Sequence, residues 1–398
     1  MTGRLSHIAL VLICALSVVS CRIEPPLVLP AQVVMVDMPV VVTDMDVVWD
    51  LDIDWKTTWH YGWDADDLSL FGETGYPEPS NFEVRRYFLG PQPGVPHTTV
   101  DAFTVFGTSF RRAYEFGYYD MLIWSNIDAE DGAQVVTIDE TDLDNVWAST
   151  TVTRALKSLT KDGETLTAVH NQPEIFYSTY PQDIYISRNK EDYDYYNEEE
   201  GVWVKVINTK LQPLVYIYLV QVVLLNNEDG KIKGATGNAA ISAFANSTNV
   251  MTGHTAYDPC VVYYNTRMKK GVLLDDPEAP YYGRTADIIG GKFTTYGLCD
   301  MEPYTKSGTQ YNGSRPELPN YLYVDVTFAN DVQQTLAFTV TDQCQEQSHG
   351  GIITVYVDCG ELTMPESGPG GNSSMFVPVV EDYTEISYEI PLEINKNK

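Results

Sequence analysis

Cations are scarce in this chain. Of its 398 residues, 25 are Lys or Arg against 55 Asp or Glu, which gives a formal charge of −30 and a pI near 4.3. No basic stripe interrupts this acidity, so nucleic acid is excluded as a partner. Long apolar runs are missing too. The two longest, Ile8–Val19 and Pro213–Leu225, hold 12 and 13 residues, short of the roughly 20 that a membrane-spanning helix needs. Cysteine is sparse, with 6 residues and no C-x-x-C pair, so the ligand spacing of a zinc site is absent. His60, His97, His170, His254 and His349 stand far apart in sequence. There is no H-E-x-x-H, no G-x-S-x-G and no glycine loop of the phosphate-cradling type. These absences argue against an enzyme, and no metal or cofactor is expected.

Other features are abundant. Hydrophobic residues make up 44% and aromatic residues 12%, including 27 Tyr. That content supports packed cores in spite of the acidity, and the Tyr and β-branched bias points to strands. The length suffices for two domains.

The N-terminus is patterned for export. Arg4 precedes the apolar run Ile8–Val19, and small residues close it, the layout of a cleavable signal over residues 1–20. Val18-Val19-Ser20-Cys21 resembles the lipobox of bacterial lipoproteins, which implies lipid attachment at Cys21. Residues 1–20 carry Arg4 and no acid, so the mature charge becomes −31. Two or three acyl chains on Cys21 exceed what stable anchoring needs. Residues 21–31, with Pro25, Pro26 and Pro30, read as an extended spacer. The expected residence is the outer membrane, lipid-anchored, with the leaflet unread.

Beyond the spacer, alternation of period two predicts strands. In Val47–Trp55 the residues Trp49, Leu51, Ile53 and Trp55 share one face, and Asp50, Asp52 and Asp54 the other. Further strands are expected at Phe82–Phe88, Thr99–Phe106, Tyr114–Trp124 and Gln134–Ile138. A short helix is admissible in Thr141–Leu159 and a helical turn after Pro173. The polar, tyrosine-rich stretch 189–201 reads as a link, which places an N-terminal domain at 32–196 and a C-terminal one at 197–398. In the second half Val202–Ile207, Ile232–Phe244, Cys260–Thr266, Gly291–Leu298, Tyr321–Asn330, Thr335–Thr341, Gly351–Asp358 and Ile386–Ile394 read as strands. Pro213–Leu225 fits a core strand buried on both faces. The expected class is all-β: two antiparallel sandwiches in tandem with little helix.

Two sets of residues are candidates for chemistry. Trp55, Trp59, Tyr61, Trp63, Asp64 and Asp66 form the densest aromatic and acidic cluster. Stacking rings beside hydroxyl-accepting carboxylates suit carbohydrate, and the same residues equally suit the edge of a β core. Asp64-x-Asp66-Asp67 lacks the glycine and distal glutamate of a calcium loop. The second set is Cys260, Cys299, Cys344 and Cys359. Four cysteines in an oxidising compartment permit disulfides, with buried free thiols as the alternative. If Thr335–Thr341 and Ile352–Asp358 form a hairpin, Cys344 lies by the turn and Cys359 at the far end. At ~3.3 Å per residue they are then more than about 20 Å apart, beyond the ~7 Å that a disulfide allows. A Cys260–Cys299 bond would leave that pair free.

Several segments carry a family likeness. Leu211-Gln-Pro-Leu-Val-Tyr-Ile-Tyr-Leu219, Val340-Thr-Asp-Gln343 followed by Gly350-Gly-Ile-Ile353, and a Gly-rich loop before Val380-Glu-Asp-Tyr383 resemble Bacteroidales surface lipoproteins. The Tyr114–Trp124 segment, with glycine before a Tyr-Asp step, fits the same group, which is similar to fimbrillin-like minor anchor and accessory subunits. The resemblance implies transthyretin-like domains and a role as a fimbrial anchor, accessory or adhesion subunit. Its partners would be other surface proteins met by strand addition, with Ile386–Ile394 either closing its own domain or pairing with a neighbour. Tyr383 stands where the family suggests tryptophan, and the four cysteines are foreign to it. The rival expectation is a glycan-binding surface lipoprotein of a polysaccharide-uptake system.

Overall fold

The computed structural model describes residues 40–47, 59–90, 99–107, 109–125, 135–152, 159–161, 164–166, 169–303 and 319–366. Strands dominate it. The leader, Cys21, the spacer, Trp55, nearly all of the strand expected at Val47–Trp55 and the closing Ile386–Ile394 lie outside the described residues, as does Val380–Tyr383. Side chains of 40–47 and 159–166 are likewise not described.

Two large sheets organise the chain. The first runs Thr99–Phe106, Asn81–Gly90, Gly117–Ser125, Tyr177–Thr179, Val202–Pro213, Val40–Val47, Ser109–Ala113, with Ile184–Ile186 and Tyr195–Asn197 attached beside it. Phe82, Val84, Tyr119, Met121, Ile123 and Leu211 fill the core on one of its faces, and Tyr87, Leu122 and Trp124 pack on the other. Gly117 is obligatory where the chain enters Gly117–Ser125. Its φ of +148° sets it apart, and a Cβ there would stand 2.6 Å from the Phe88 ring and 2.9 Å from the Gly90 carbonyl.

The second sheet runs Gln333–Thr339, Tyr321–Phe328, Ile232–Ala245, Pro259–Leu273, Thr285–Thr295, Tyr216–Leu225, Gly351–Asp358. Pro259–Leu273 pairs with Ile232–Ala245 through its first half and with Thr285–Thr295 through its second. A strand that changes partners midway turns the corner of a sandwich, and the two layers close on one apolar core that includes Tyr218, Phe244, Phe293, Val324 and Ile353. Tyr216–Leu225 is buried at every position, as its near-unbroken apolar run requires. A small third sheet joins the halves, because Trp147–Thr150 pairs with Ser247–Asn249.

One expectation, the hairpin, is corrected, and the pairing adds detail to the others. Not every pairing is antiparallel: Val40–Val47 lies parallel to Val202–Pro213, and Gly351–Asp358 parallel to Tyr216–Leu225. Thr335–Thr341 and Ile352–Asp358 form no hairpin. Gln333–Thr339 pairs with Tyr321–Phe328, while Gly351–Asp358 pairs across the sandwich, because the helix Thr341–Glu346 redirects the chain between them. The link at 189–201 does not separate the sheets. It folds into a 3-10 turn and a strand, Tyr195–Asn197, paired with Val202–Pro213, so the chain passes from the first sheet to the second at Leu214 and Val215. Within Thr141–Leu159, the described part is a turn followed by the strand Trp147–Thr150, where Thr favours extended backbone.

Candidate functional site

Residues 59–77 cross the outer face of the second sheet and lead into Asn81–Gly90 of the first. The crossing is led by helix α1, Ala65–Phe71. Asp64 caps it, its Oδ1 accepting from the N–H of Asp66 and Asp67 at 3.0 Å each, while Asp67 Oδ2 accepts from the Asp64 N–H at 3.0 Å. This reciprocal capping box explains Asp64-x-x-Asp67 without a metal. Among the described residues no group of three His, Cys, Asp or Glu is placed to hold one.

Four devices fix this strap to the two sheets. Gln221 interrupts the apolar strand Tyr216–Leu225 and is fully buried. Its Oε1 accepts from the N–H of His60 at 2.9 Å and of Tyr61 at 3.3 Å, while its Nε2 donates to Thr354 Oγ1 at 2.9 Å. Tyr61 lies over Gly290, where any Cβ would fall inside its ring envelope. The ring's OH donates to Asp67 Oδ1 at 2.8 Å, and Lys269 Nζ sits 4.2 Å from the ring centroid. Third, the acids meet scarce cations. Arg267 Nη1 reaches Asp64 and Asp67 at 2.8 Å, its Nη2 reaches Asp66 at 3.0 Å, and Lys269 reaches Asp67 at 2.6 Å. Fourth, the Ile217 N–H donates to Tyr76 Oη at 3.1 Å, and Tyr177 Oη donates to the Pro77 carbonyl at 2.7 Å.

The electrostatics follow from that geometry. Burial pushes the Asp67 carboxyl up, but the bonds from Lys269, the Asp64 N–H, Arg267 and Tyr61 outweigh it and hold the group below its ordinary value. Asp64 is held well below the carboxylate range, chiefly by the Asp67 N–H. Tyr61 is raised far above the phenol range, first by burial and then by Asp67.

The cluster expected to present stacking platforms is therefore spread over several roles. Tyr61 is 2% exposed, with Lys269 over its ring and Gly290 beneath. Trp59 and Trp63 are half-buried, 6.0 Å apart, and Trp63 packs on Phe71 at 5.2 Å. Asp64 and Asp66 are engaged by Arg267. Sequence reasoning missed Gln221, Gly290, Arg267 and Lys269. The signals were a lone amide in an apolar run, and two cations at alternate positions of one strand. The four cysteines are all free and buried. Burial raises the Cys260 thiol far above its usual value and pushes Cys359 up to about 12, so neither is a ready thiolate.

A second feature is a polar cleft of about 230 Å³ where the halves meet. Ser178, Thr179, Lys210 and Gln212 from the first sheet, with Tyr180 just beyond Thr179, line it together with Met251, Thr252 and Gly253. Tyr180 is oriented by donating to Asp120 Oδ2 at 2.9 Å. In the register of the first sheet Asp46 stands opposite Lys210, so that rung carries one charge of each sign. A ring, an amide and hydroxyls around such a space suit a small hydroxylated molecule. No helix among the described residues is long and apolar enough to cross a membrane.

No protein-family model matches this chain, and no curated protein matches its sequence. Among solved structures it is similar to a candidate adhesin from Bacteroides ovatus, with 13% identity over 83% of this chain and 94% of that one and a TM-score of 0.43. It is also similar to the fimbrial anchor protein Mfa2 from Porphyromonas gingivalis, with 12% identity, coverage of 81% and 93%, and a TM-score of 0.36. A candidate cell adhesion protein from Bacteroides eggerthii gives 12% identity, coverage of 86% and 92%, and a TM-score of 0.39.

Proposed function

We propose that this chain is a non-enzymatic structural protein of the cell surface, held to the outer membrane by lipid on Cys21. Its role on this reading is that of an anchor or accessory subunit of a fimbrial or adhesive assembly. The observation that carries it is the union of a lipobox-type leader ending at Cys21 with a body built from sheets that end in outer strands. A retained lipid suits a basal subunit, since a polymerising subunit has to leave the membrane, and outer strands offer backbone groups for strand addition. The reading includes two tandem transthyretin-like domains and contact with other surface proteins. Its test is fractionation with and without the lipid site. Cys21→Ala should move the protein to the soluble fraction and detach the assembly from cells, and a variant that still sediments with membranes contradicts the tether.

Glycan capture is the second reading, and the polar cleft beside Tyr180 and Gln212 is the observation in its favour. A glycan array separates the two. A binder gives a signal that Gln212→Ala abolishes, whereas an anchor gives none.

A further inference from the structure

The second sheet ends at Gly351–Asp358, whose inner side pairs with Tyr216–Leu225. Among the described residues no strand pairs with its outer side, and four of its outward backbone groups are hydrogen-bonded by side chains. Gln343 Oε1 accepts from the Thr354 N–H at 2.8 Å, and its Nε2 donates to the Thr354 carbonyl at 2.9 Å. Gln347 repeats the pattern on Ile352, with its Oε1 accepting at 2.7 Å and its Nε2 donating at 2.9 Å. A carboxamide carries the same donor and acceptor as a peptide group. Two glutamines four residues apart share one face of a helix, and residues 352 and 354 share one edge of a strand. The two spacings thus match, and each side chain makes the pair of bonds that a strand residue would make.

The surroundings are shaped for this. Gln343 lies in helix α2, Thr341–Glu346, and Gln347 is its C-cap. Cys344 anchors the helix in the core, and Tyr218 Oη donates to the Gln347 carbonyl at 2.6 Å. Gly351 is bare where Gln347 crosses it, and a Cβ there would collide with the glutamine's amide. Helix α2 is short and has no side-chain hydrogen bond at its N-cap.

We propose that α2, through Gln343 and Gln347, stands in for a missing strand and keeps the Gly351–Asp358 edge from pairing with a second copy of the chain. An exposed strand edge is a template for such pairing, and an antiparallel pair of identical edges closes as a two-fold dimer. The cover is side chain rather than backbone, so displacing it leaves the strand itself intact. This inference does not depend on the anchor role.

The test uses the purified chain without its lipid site, residues 22–398, and near-isosteric variants that keep the packing. Gln343→Met should speed amide exchange at Thr354 by at least tenfold and leave Ile352 alone. Gln347→Met should do the reverse, and neither should alter Ile353, which faces Tyr216–Leu225. The double variant should sediment with a concentration-dependent shift toward twice the mass under conditions where the unaltered chain keeps one mass. Gly351→Ala, which drives the Gln347 amide off, should mimic Gln347→Met in exchange. Unchanged exchange at Thr354 and Ile352 in the single variants overturns the proposal, and so does a double variant that sediments like the parent. If the double variant does not fold, the residue-specific exchange of the single variants decides.

Discussion

Two stretches of this chain look alike on paper and behave differently in the fold. Trp59–Asp67 and Tyr193–Glu200 are both rich in aromatic rings and acids. The first is pinned beneath cations from a strand 200 residues away, with Tyr61 and Asp67 buried. The second stays at the surface. Tyr195 and Tyr196 are 42% and 46% exposed, Glu200 pairs with Arg111 at 2.8 Å in the open, and Asn197 caps its own turn by accepting from the N–H of Glu199 and Glu200. The difference does not reside in either stretch. It resides in Gln221, Gly290, Arg267 and Lys269, which offer the first a bare, oppositely charged landing face, where the second meets the exposed Arg111 and the Trp203 ring. Composition marks a segment as sticky, and the distant strand decides whether it is covered.

The sharpest break in that contrast is steric. Gly290→Ala puts a methyl into the Tyr61 ring, which cannot slide because its hydroxyl is held by Asp67. Overpacking of this kind should cost about 3 kcal/mol, read as a fall in the urea midpoint. Gly234→Ala, where the new methyl meets nothing within 4 Å, should stay within about 0.5 kcal/mol as an ordinary surface change.

An electrostatic break comes next. Asp67→Ala strips a buried carboxylate from Lys269 and Arg267. Removing one partner of a fully buried ion pair costs about 3–5 kcal/mol, but both cations here are partly solvated, so about 2 kcal/mol is expected. The same group sets a pH window. Its folded pKa lies below the unfolded value, so its contribution is complete above the ordinary carboxylate pKa of about 3.9. It is lost as pH falls from there through the folded value. Unfolding curves of Asp67→Ala and the parent should therefore converge on acidification below pH 4. A gap that persists unchanged at pH 2 contradicts the assignment.

The smallest effect belongs to the other stretch. Arg111→Ala removes the ion pair to Glu200 and the bond to Tyr195 Oη. Both acceptors are exposed, so stability should change by no more than about 0.5 kcal/mol.

Much of the fold was legible because hydrophobic period and turn residues act locally. Thr99–Phe106 and Gly351–Asp358 fall where alternation places them, and Tyr216–Leu225 lies within its apolar run. Partner choice was not legible. Adjacent strands suggested a hairpin from Thr335 to Asp358, but α2 lies between them and the parallel pairing of Gly351–Asp358 spans more than a hundred residues. At the site, Asp64-x-Asp66-Asp67 is weighed in the sequence only as a calcium loop, whereas Asp64 and Asp67 form the capping box of α1. That Tyr61 faces Gly290 follows from packing between distant segments, and no spacing within either segment encodes it.

Trp59–Asp67 is thus a strap built into the second sheet and not a free ligand platform. Amide exchange at His60 and Tyr61 tests it most directly, because both N–H groups donate to buried Gln221. Protection at these two amides should be close to that of Tyr216–Leu225 and should fall selectively in Gln221→Leu, where two buried donors lose their acceptor at a cost of about 1–3 kcal/mol. Exchange at His60 and Tyr61 as fast as at Glu198–Glu200 in the unaltered chain would contradict it.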